Sequence, residues 1–158
     1  MKVAAAFVAL FAAFVLQGQF SDRVASTQWR PDLILTVVII SALLLRSPAL
    51  GVIALTGGFL EGVLCGRYYA AFTISRVLAA LVAVTVAEPL EVNPAVAVGV
   101  AALSAAAAQV VFLLVEPSGN LAFWANTAAR QVLLVSVMAA VLYPLARRLA
   151  GDPRPEEL

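Results

Sequence analysis

The stretch ALGVIALTGGFLEGVLCGR, residues 49–67, decides the class of fold, because it carries a single charged residue, Glu61, before it reaches Arg67. Apolar runs of this kind recur along the whole chain, which is 63% hydrophobic and only 12% charged. A helix crosses bilayer hydrocarbon about 30 Å thick with roughly 20 apolar residues, at a rise of ~1.5 Å each. The sequence therefore predicts an all-α, polytopic membrane protein.

Six apolar runs, separated by short polar or proline-bearing segments, predict a bundle of six transmembrane helices. The predicted spans cover residues 3–20, 31–46, 48–66, 68–87, 94–115 and 122–146. Residues 1–148 then form one transmembrane domain, and 149–158 form a flexible tail. An even number of spans places both termini on the same side. Arg147 and Arg148 follow the last run directly, which favours a cytoplasmic location for both termini.

Composition narrows the classes of function. The chain has no histidine, one cysteine (Cys65) and a formal net charge of +1. Without histidine, neither a Ser-His-Asp triad nor an HExxH metal site can form, and a lone cysteine lacks the neighbours that zinc requires. The dispersed basic residues do not form a surface for nucleic acid. Composition therefore excludes most hydrolases of the soluble type, and we expect no catalytic residue, no metal and no cofactor.

Four polar residues from different predicted helices fall at one depth, roughly 8–13 Å below the outer surface when counted at ~1.5 Å per residue. These residues are Glu61, Arg76, Gln109 and Arg130. An ionised group inside the membrane costs at least ~2.5–3.5 kcal/mol, so such groups normally pair or line a wet cavity. We expect an intramembrane polar cluster whose surplus positive charge holds an anionic group or is completed by a partner protein. The alternative is that Glu61 neutralises one arginine while the other reaches the interface.

Small residues recur at every fourth position of the third predicted helix, at Ala54, Gly58, Gly62 and Gly66. Such a stripe lets a neighbouring helix approach the backbone closely. Glu61 lies about 60° around the helix from Gly58 at ~100° per residue, so it borders this helix-packing seam. We therefore expect the seam to hold the carboxylate away from lipid.

The second and third predicted helices together resemble the rod-shape-determining MreD family. Pro-Asp opens the second helix, an Ala-Leu run ends in an arginine turn, and the third helix carries a Gly-Phe-Leu-x-Gly core. The matching residues are Pro31, Asp32, Ala42, Leu43, Arg46, Gly58, Phe59, Leu60 and Gly62. Six spans with almost no loops also fit this family. Relatives often carry an aspartate near the position of Gly66, whereas this chain has its acid at Glu61.

The resemblance implies a non-enzymatic scaffold subunit of the cell-elongation machinery, in contact with membrane lipid. Its implied partners are an MreC-like protein and, through it, the glycosyltransferase and transpeptidase that synthesise peptidoglycan, close to actin-like MreB.

The resemblance also implies a helical fold like the substrate-binding subunit of energy-coupling-factor vitamin transporters. Such a subunit is the alternative function, and an A-x-x-x-A pattern at Ala5, Ala9 and Ala13 agrees with it. A membrane-embedded enzyme is a third interpretation, but the sequence lacks the paired acids or metal ligands that such an enzyme would need. The short connections, too short to close over a ligand, favour the scaffold.

Overall fold

The computed structural model describes residues 3–23, 31–45, 47–117 and 119–150, and it is all-helical. Its six helices are α1 Val3–Arg23, α2 Leu33–Leu44, α3 Ala49–Cys65, α4 Tyr69–Ala87, α5 Pro94–Val115 and α6 Leu121–Ala150. The predicted all-α class is confirmed, and the helices correspond to the six apolar runs within a few residues. Of the predicted motif and tail, Arg46 and residues 151–158 lie outside the described residues.

Three of the helices are long and apolar enough to cross a membrane: α4, α5 and α6 over Leu121–Leu149. The remaining apolar helical segments are shorter, at Val3–Gln19, Leu33–Leu44 and Ala49–Cys65. Large apolar side chains are exposed on all helices except α2, including Leu114 at 74% and Val8 at 70%. An apolar exterior of this extent is typical of a surface that faces lipid or partner proteins.

The central helix of the bundle is α2, which packs against all five other helices. Nine of its 12 residues are buried, because a helix that is apolar on every side is stable only when neighbours surround it. Asp32 caps its first turn by accepting a hydrogen bond from the Leu35 backbone N–H at 2.8 Å. The helix is shorter than the predicted span 31–46, since Leu45 already adopts an extended conformation.

Two glycines bring α3 and α4 into backbone contact. A Cβ atom at Gly58 would overlap Thr73 Cα and lie 2.7 Å from Thr73 N. A Cβ atom at Gly62 would lie 2.6 Å from Tyr69 Cδ1. Both glycines are buried. The stripe of small residues therefore faces α4, and the absence of side chains at these positions sets the distance between the two helices.

The last residue of the predicted seam behaves differently. Gly66 is exposed, and a Cβ atom added there would meet none of the described residues within 4 Å. Its backbone takes a left-handed conformation with φ 66°. Gly66 ends α3 as a C-terminal cap, a position that favours glycine, and so does not take part in the packing against α4. Tyr68 follows with φ 62°, which reverses the chain into α4.

The outer helices form an incomplete ring around α2. In chain order, α3, α4, α5 and α6 each pack against the next, and α1 packs against α3. Within the described parts of the chain, α1 and α6 do not pack against each other. The ring therefore has a gap between α1 and α6.

Candidate functional site

A charged triad joins α2, α3 and α4 in the interior. Arg76 Nη2 donates to Asp32 Oδ2 and to Glu61 Oε2, and Nη1 donates to Ser75 Oγ at 3.1 Å. The three charged side chains are each at most 6% exposed. A buried ion is tolerated only when it is paired and hydrogen-bonded, so each of these groups depends on the others. We call Asp32, Glu61 and Arg76 the charged triad.

The glycine contacts and the charged triad are parts of one joint. Glu61 lies between Gly58 and Gly62, the two residues that allow α4 to approach. Arg76 is on α4, three residues after Thr73, the residue nearest to Gly58. Residues three apart share a helix face, so the close approach at Gly58 directs Arg76 toward Glu61.

Gln17 of α1 is the fourth member of the buried network. Its Oε1 accepts a hydrogen bond from the Ile34 backbone N–H at 3.1 Å, and its Nε2 donates to Glu61 Oε1 at 3.5 Å. The first turn of α2 needs such an outside acceptor, because it leaves backbone N–H groups without intrahelical partners. Gln17 thereby ties α1 to both α2 and α3.

The two carboxylate oxygens of Asp32 have separate roles: Oδ1 caps α2, and Oδ2 pairs with Arg76. Different substitutions of Asp32 distinguish these two roles. Asparagine is as good an N-cap as aspartate, whereas alanine removes the cap. We expect Asp32→Ala to lower the free energy of unfolding by about 0.5–2 kcal/mol more than Asp32→Asn does. Unfolding in mixed micelles measures the difference.

Asn93 provides the matched control, because it caps α5 by accepting from the Val96 N–H at 2.9 Å and is exposed. Asn93→Ala is expected to lose a similar amount, and Asn93→Asp to lose little. Equal stabilities for Asp32→Ala and Asp32→Asn would contradict a capping role for Asp32.

Next to the triad is a cavity of about 270 Å³, which we call the polar cavity. Residues from all six helices or their flanking positions contribute to its wall. The lining residues are Gln17, Pro31, Glu61, Leu64, Cys65, Phe72, Arg76, Gln109, Phe112, Trp124, Thr127 and Gln131. They come from the end of α1, the start of α2, the end of α3, the start of α4, the end of α5 and the start of α6. The cavity therefore lies near one end of the bundle.

The rest of the cavity wall is built largely from amides and aromatic rings. Gln109 Nε2 of α5 donates to Gln131 Oε1 of α6 at 2.6 Å. The rings of Phe72 and Phe112 lie with their centroids 5.0 Å apart, and the guanidinium carbon of Arg76 is 5.3 Å from the centroid of Phe72. The cavity thus combines hydrogen-bonding groups with ring faces, as small-molecule sites commonly do.

The structure brings three of the four predicted cluster residues to this place. Glu61 and Arg76 are in direct contact, and Gln109 lines the same cavity. Arg130 is half-buried on α6 and lies outside the cavity lining, where the next residue, Gln131, contributes instead. One residue along a helix turns the side chain by ~100°, so a depth count places the level but not the direction.

The charges that meet in the triad differ from those expected from the sequence, which predicted a surplus of positive charge in the cluster. That expectation counted Arg76 and Arg130 against Glu61, whereas the contacts join one arginine to two carboxylates, Asp32 and Glu61. The triad has a formal charge of −1. The contacts of the triad therefore do not supply the surplus positive charge on which the expected anionic ligand depended.

No protein-family model, no curated protein and no solved structure matches the chain.

Proposed function

We propose that this chain is a non-enzymatic scaffold subunit of the cell-elongation complex, of the MreD type. It crosses the bacterial inner membrane six times, with both termini in the cytoplasm. Its fold is like that of the substrate-binding subunits of energy-coupling-factor transporters. It binds an MreC-like protein and, through it, the glycosyltransferase and transpeptidase that synthesise peptidoglycan.

The observation that carries this proposal is the convergence of the motif residues in one joint. Asp32 of the motif and Glu61, which occupies the variable position of the Gly-Phe-Leu-x-Gly core, contact the same nitrogen of Arg76. Gly58 and Gly62 set the distance of the helix that bears this arginine. Because motif residues determine how these helices pack, the structure is compatible with an architecture shared with the MreD family. Its charged groups pair with one another, which suits a scaffold.

One motif residue points outward and identifies a candidate surface for the partner. Phe59 is 56% exposed on α3, and its ring lies 5.8 Å from the ring of Tyr69. Leu55 and Val52, one and two helical turns earlier, are also at least half exposed. Aromatic anchors beside apolar side chains are typical of the residues that dominate binding energy at interfaces. This face of α3 is the surface that we assign to the MreC-like partner.

The test is co-purification of the tagged chain from its native membrane in mild detergent. The wild-type chain is expected to retain an MreC-like protein and a wall synthase. Phe59→Ala is expected to lower the affinity for the partner on the order of tenfold or more, with unchanged thermal stability. Phe11→Ala is the matched control, because Phe11 is 61% exposed on α1. Retention of an ATPase pair instead of these partners would contradict the proposed scaffold function.

The polar cavity is the observation that favours the second candidate, a vitamin-binding transporter subunit. At about 270 Å³ it lies slightly below the usual ~300–1,000 Å³ range of ligand pockets. Of the A-x-x-x-A alanines on α1, Ala5 is exposed while Ala13 is buried in the core. A vitamin that co-purifies with the chain and an ATPase pair would support this candidate.

A further inference from the structure

The polar cavity lies beside the gap between α1 and α6. Gln17 on α1 and Trp124, Thr127 and Gln131 on α6 all line it, yet α1 and α6 do not pack against each other along their described lengths. Among the described residues, no packing of α1 against α6 covers the cavity between these two helices. An occupant of the cavity can extend outward through this gap.

The charge beside the cavity favours a cation. Asp32 Oδ1 accepts from the Leu35 N–H, and Asp32 Oδ2 shares the guanidinium of Arg76 with Glu61. Glu61 is the second carboxylate on the same guanidinium, and it lines the cavity. Its Oε1 accepts a hydrogen bond from Gln17 at 3.5 Å, which is long for such a bond. A positive group in the cavity would balance the remaining charge.

The ring faces around the cavity are suited to the same kind of group. Phe112 and Trp124 both line it, and the third ring, that of Phe72, faces the guanidinium of Arg76. Organic ammonium groups are attracted to aromatic faces, and clusters of rings recognise them in other proteins. Excess carboxylate and ring faces therefore point to the same chemical class.

Two buried donors show that an acceptor is needed beside the cation. Arg76 Nε and Trp124 Nε1 are buried and have no hydrogen-bond partner among the described residues. Arg76 is only 2% exposed, and both residues line the cavity. A buried donor without a partner is costly, so each such group calls for an acceptor atom.

We propose that the polar cavity binds an organic ammonium group with an acceptor oxygen nearby, as in ethanolamine. The ammonium lies against Glu61 and the rings, and the oxygen accepts from Arg76 Nε and Trp124 Nε1. Two sources share this chemistry, the headgroup of phosphatidylethanolamine and a soluble amino alcohol. A lipid would hold its headgroup in the cavity and its acyl chains in the gap between α1 and α6. The inference does not depend on the proposed partners.

Native mass spectrometry of the full chain in a maltoside detergent tests the lipid source. After incubation with equal amounts of phosphatidylethanolamine and phosphatidylglycerol, the wild-type chain is expected to retain the former preferentially. Glu61→Gln is expected to reduce that preference about tenfold. Glu116→Gln is the matched control, because Glu116 is exposed at the end of α5 and does not line the cavity.

Fluorescence tests the soluble source. The chain has two tryptophans, so in a Trp29→Phe variant all indole emission comes from Trp124 in the cavity wall. Ethanolamine hydrochloride is expected to shift this emission when sodium chloride at equal ionic strength does not. The added Glu61→Gln substitution is expected to abolish the response.

A Phe112→Leu variant covers the case in which Glu61→Gln does not fold. It removes a ring face while keeping most of the apolar volume, and about fivefold weaker binding is expected. Preference for phosphatidylethanolamine supports the lipid source, and a response to ethanolamine alone supports the soluble one. Absence of both, or binding that is unchanged in every Glu61 and Phe112 variant that folds, would overturn the inference. None of these results depends on whether an MreC-like protein co-purifies.

Discussion

Replacing Arg76 with methionine is expected to lower the free energy of unfolding by about 3–5 kcal/mol, or to prevent folding. The variant leaves Asp32 and Glu61 buried side by side without their shared counter-charge. Removing one partner of a buried ion pair leaves an uncompensated charge, and here two charges of the same sign remain. Unfolding in maltoside micelles titrated with dodecyl sulfate measures the loss.

Arg67→Met is the matched control for this prediction. Arg67 is exposed between α3 and α4, near the same end of the bundle, and its guanidinium carbon lies 4.6 Å from the centroid of Tyr68. Its substitution is expected to change the free energy of unfolding by no more than about 0.5 kcal/mol, as for most surface positions. Similar losses for the two arginines would show that the interior ion pairs do not hold the helices together.

Gly58→Ala is expected to lower the free energy of unfolding by about 3 kcal/mol, at the upper end of the usual cost of overpacking. The added Cβ would overlap Thr73 Cα, and the backbone of α4 cannot move aside as the end of a flexible side chain could. Separating α3 from α4 would also lengthen the contact between Glu61 and Arg76. The two effects therefore add at one joint, and the same micelle titration measures them.

Gly99→Ala supplies the comparison. Gly99 is an exposed residue of α5, and a Cβ there would meet nothing within 4 Å in the described part of the chain. Alanine is favoured over glycine in a helix interior by roughly 0.5–1 kcal/mol, so this variant is expected to be as stable as the wild type or slightly more stable. A Gly58→Ala chain as stable as Gly99→Ala would contradict the backbone contact between α3 and α4.

Helix positions were largely predictable from the sequence because they depend on local properties. Apolar length and proline or polar breaks determine where each run begins and ends, and the six helices follow these signals. The depth of Glu61, Arg76 and Gln109 followed from counting residues along their helices. The packing of Gly58 and Gly62 followed from the spacing of small residues.

The partners of Arg76 were harder to predict, because they depend on how each helix is rotated and where its neighbours lie. Asp32 has no apolar flank on its N-terminal side, so its position in the sequence indicates a capping residue at a hydrated helix start. Asp32 is buried against Arg76 because α2 lies at the centre of the bundle and α4 approaches it closely, and neither feature can be read from the local sequence. Gln17 carries a similar signal, the first amide at the end of an apolar run. Gly66 could have been assigned to the helix end from its place before Arg67.

The account rests on the charged triad as one unit whose members depend on each other, and the most direct test compares Arg76→Met with Arg76→Met combined with Asp32→Asn and Glu61→Gln. Replacing a whole buried charged group by neutral residues is often close to neutral, whereas removing one member is costly. The triple variant is therefore expected to regain most of the free energy of unfolding that Arg76→Met loses. A triple variant that loses the sum of its three single substitutions would contradict the account.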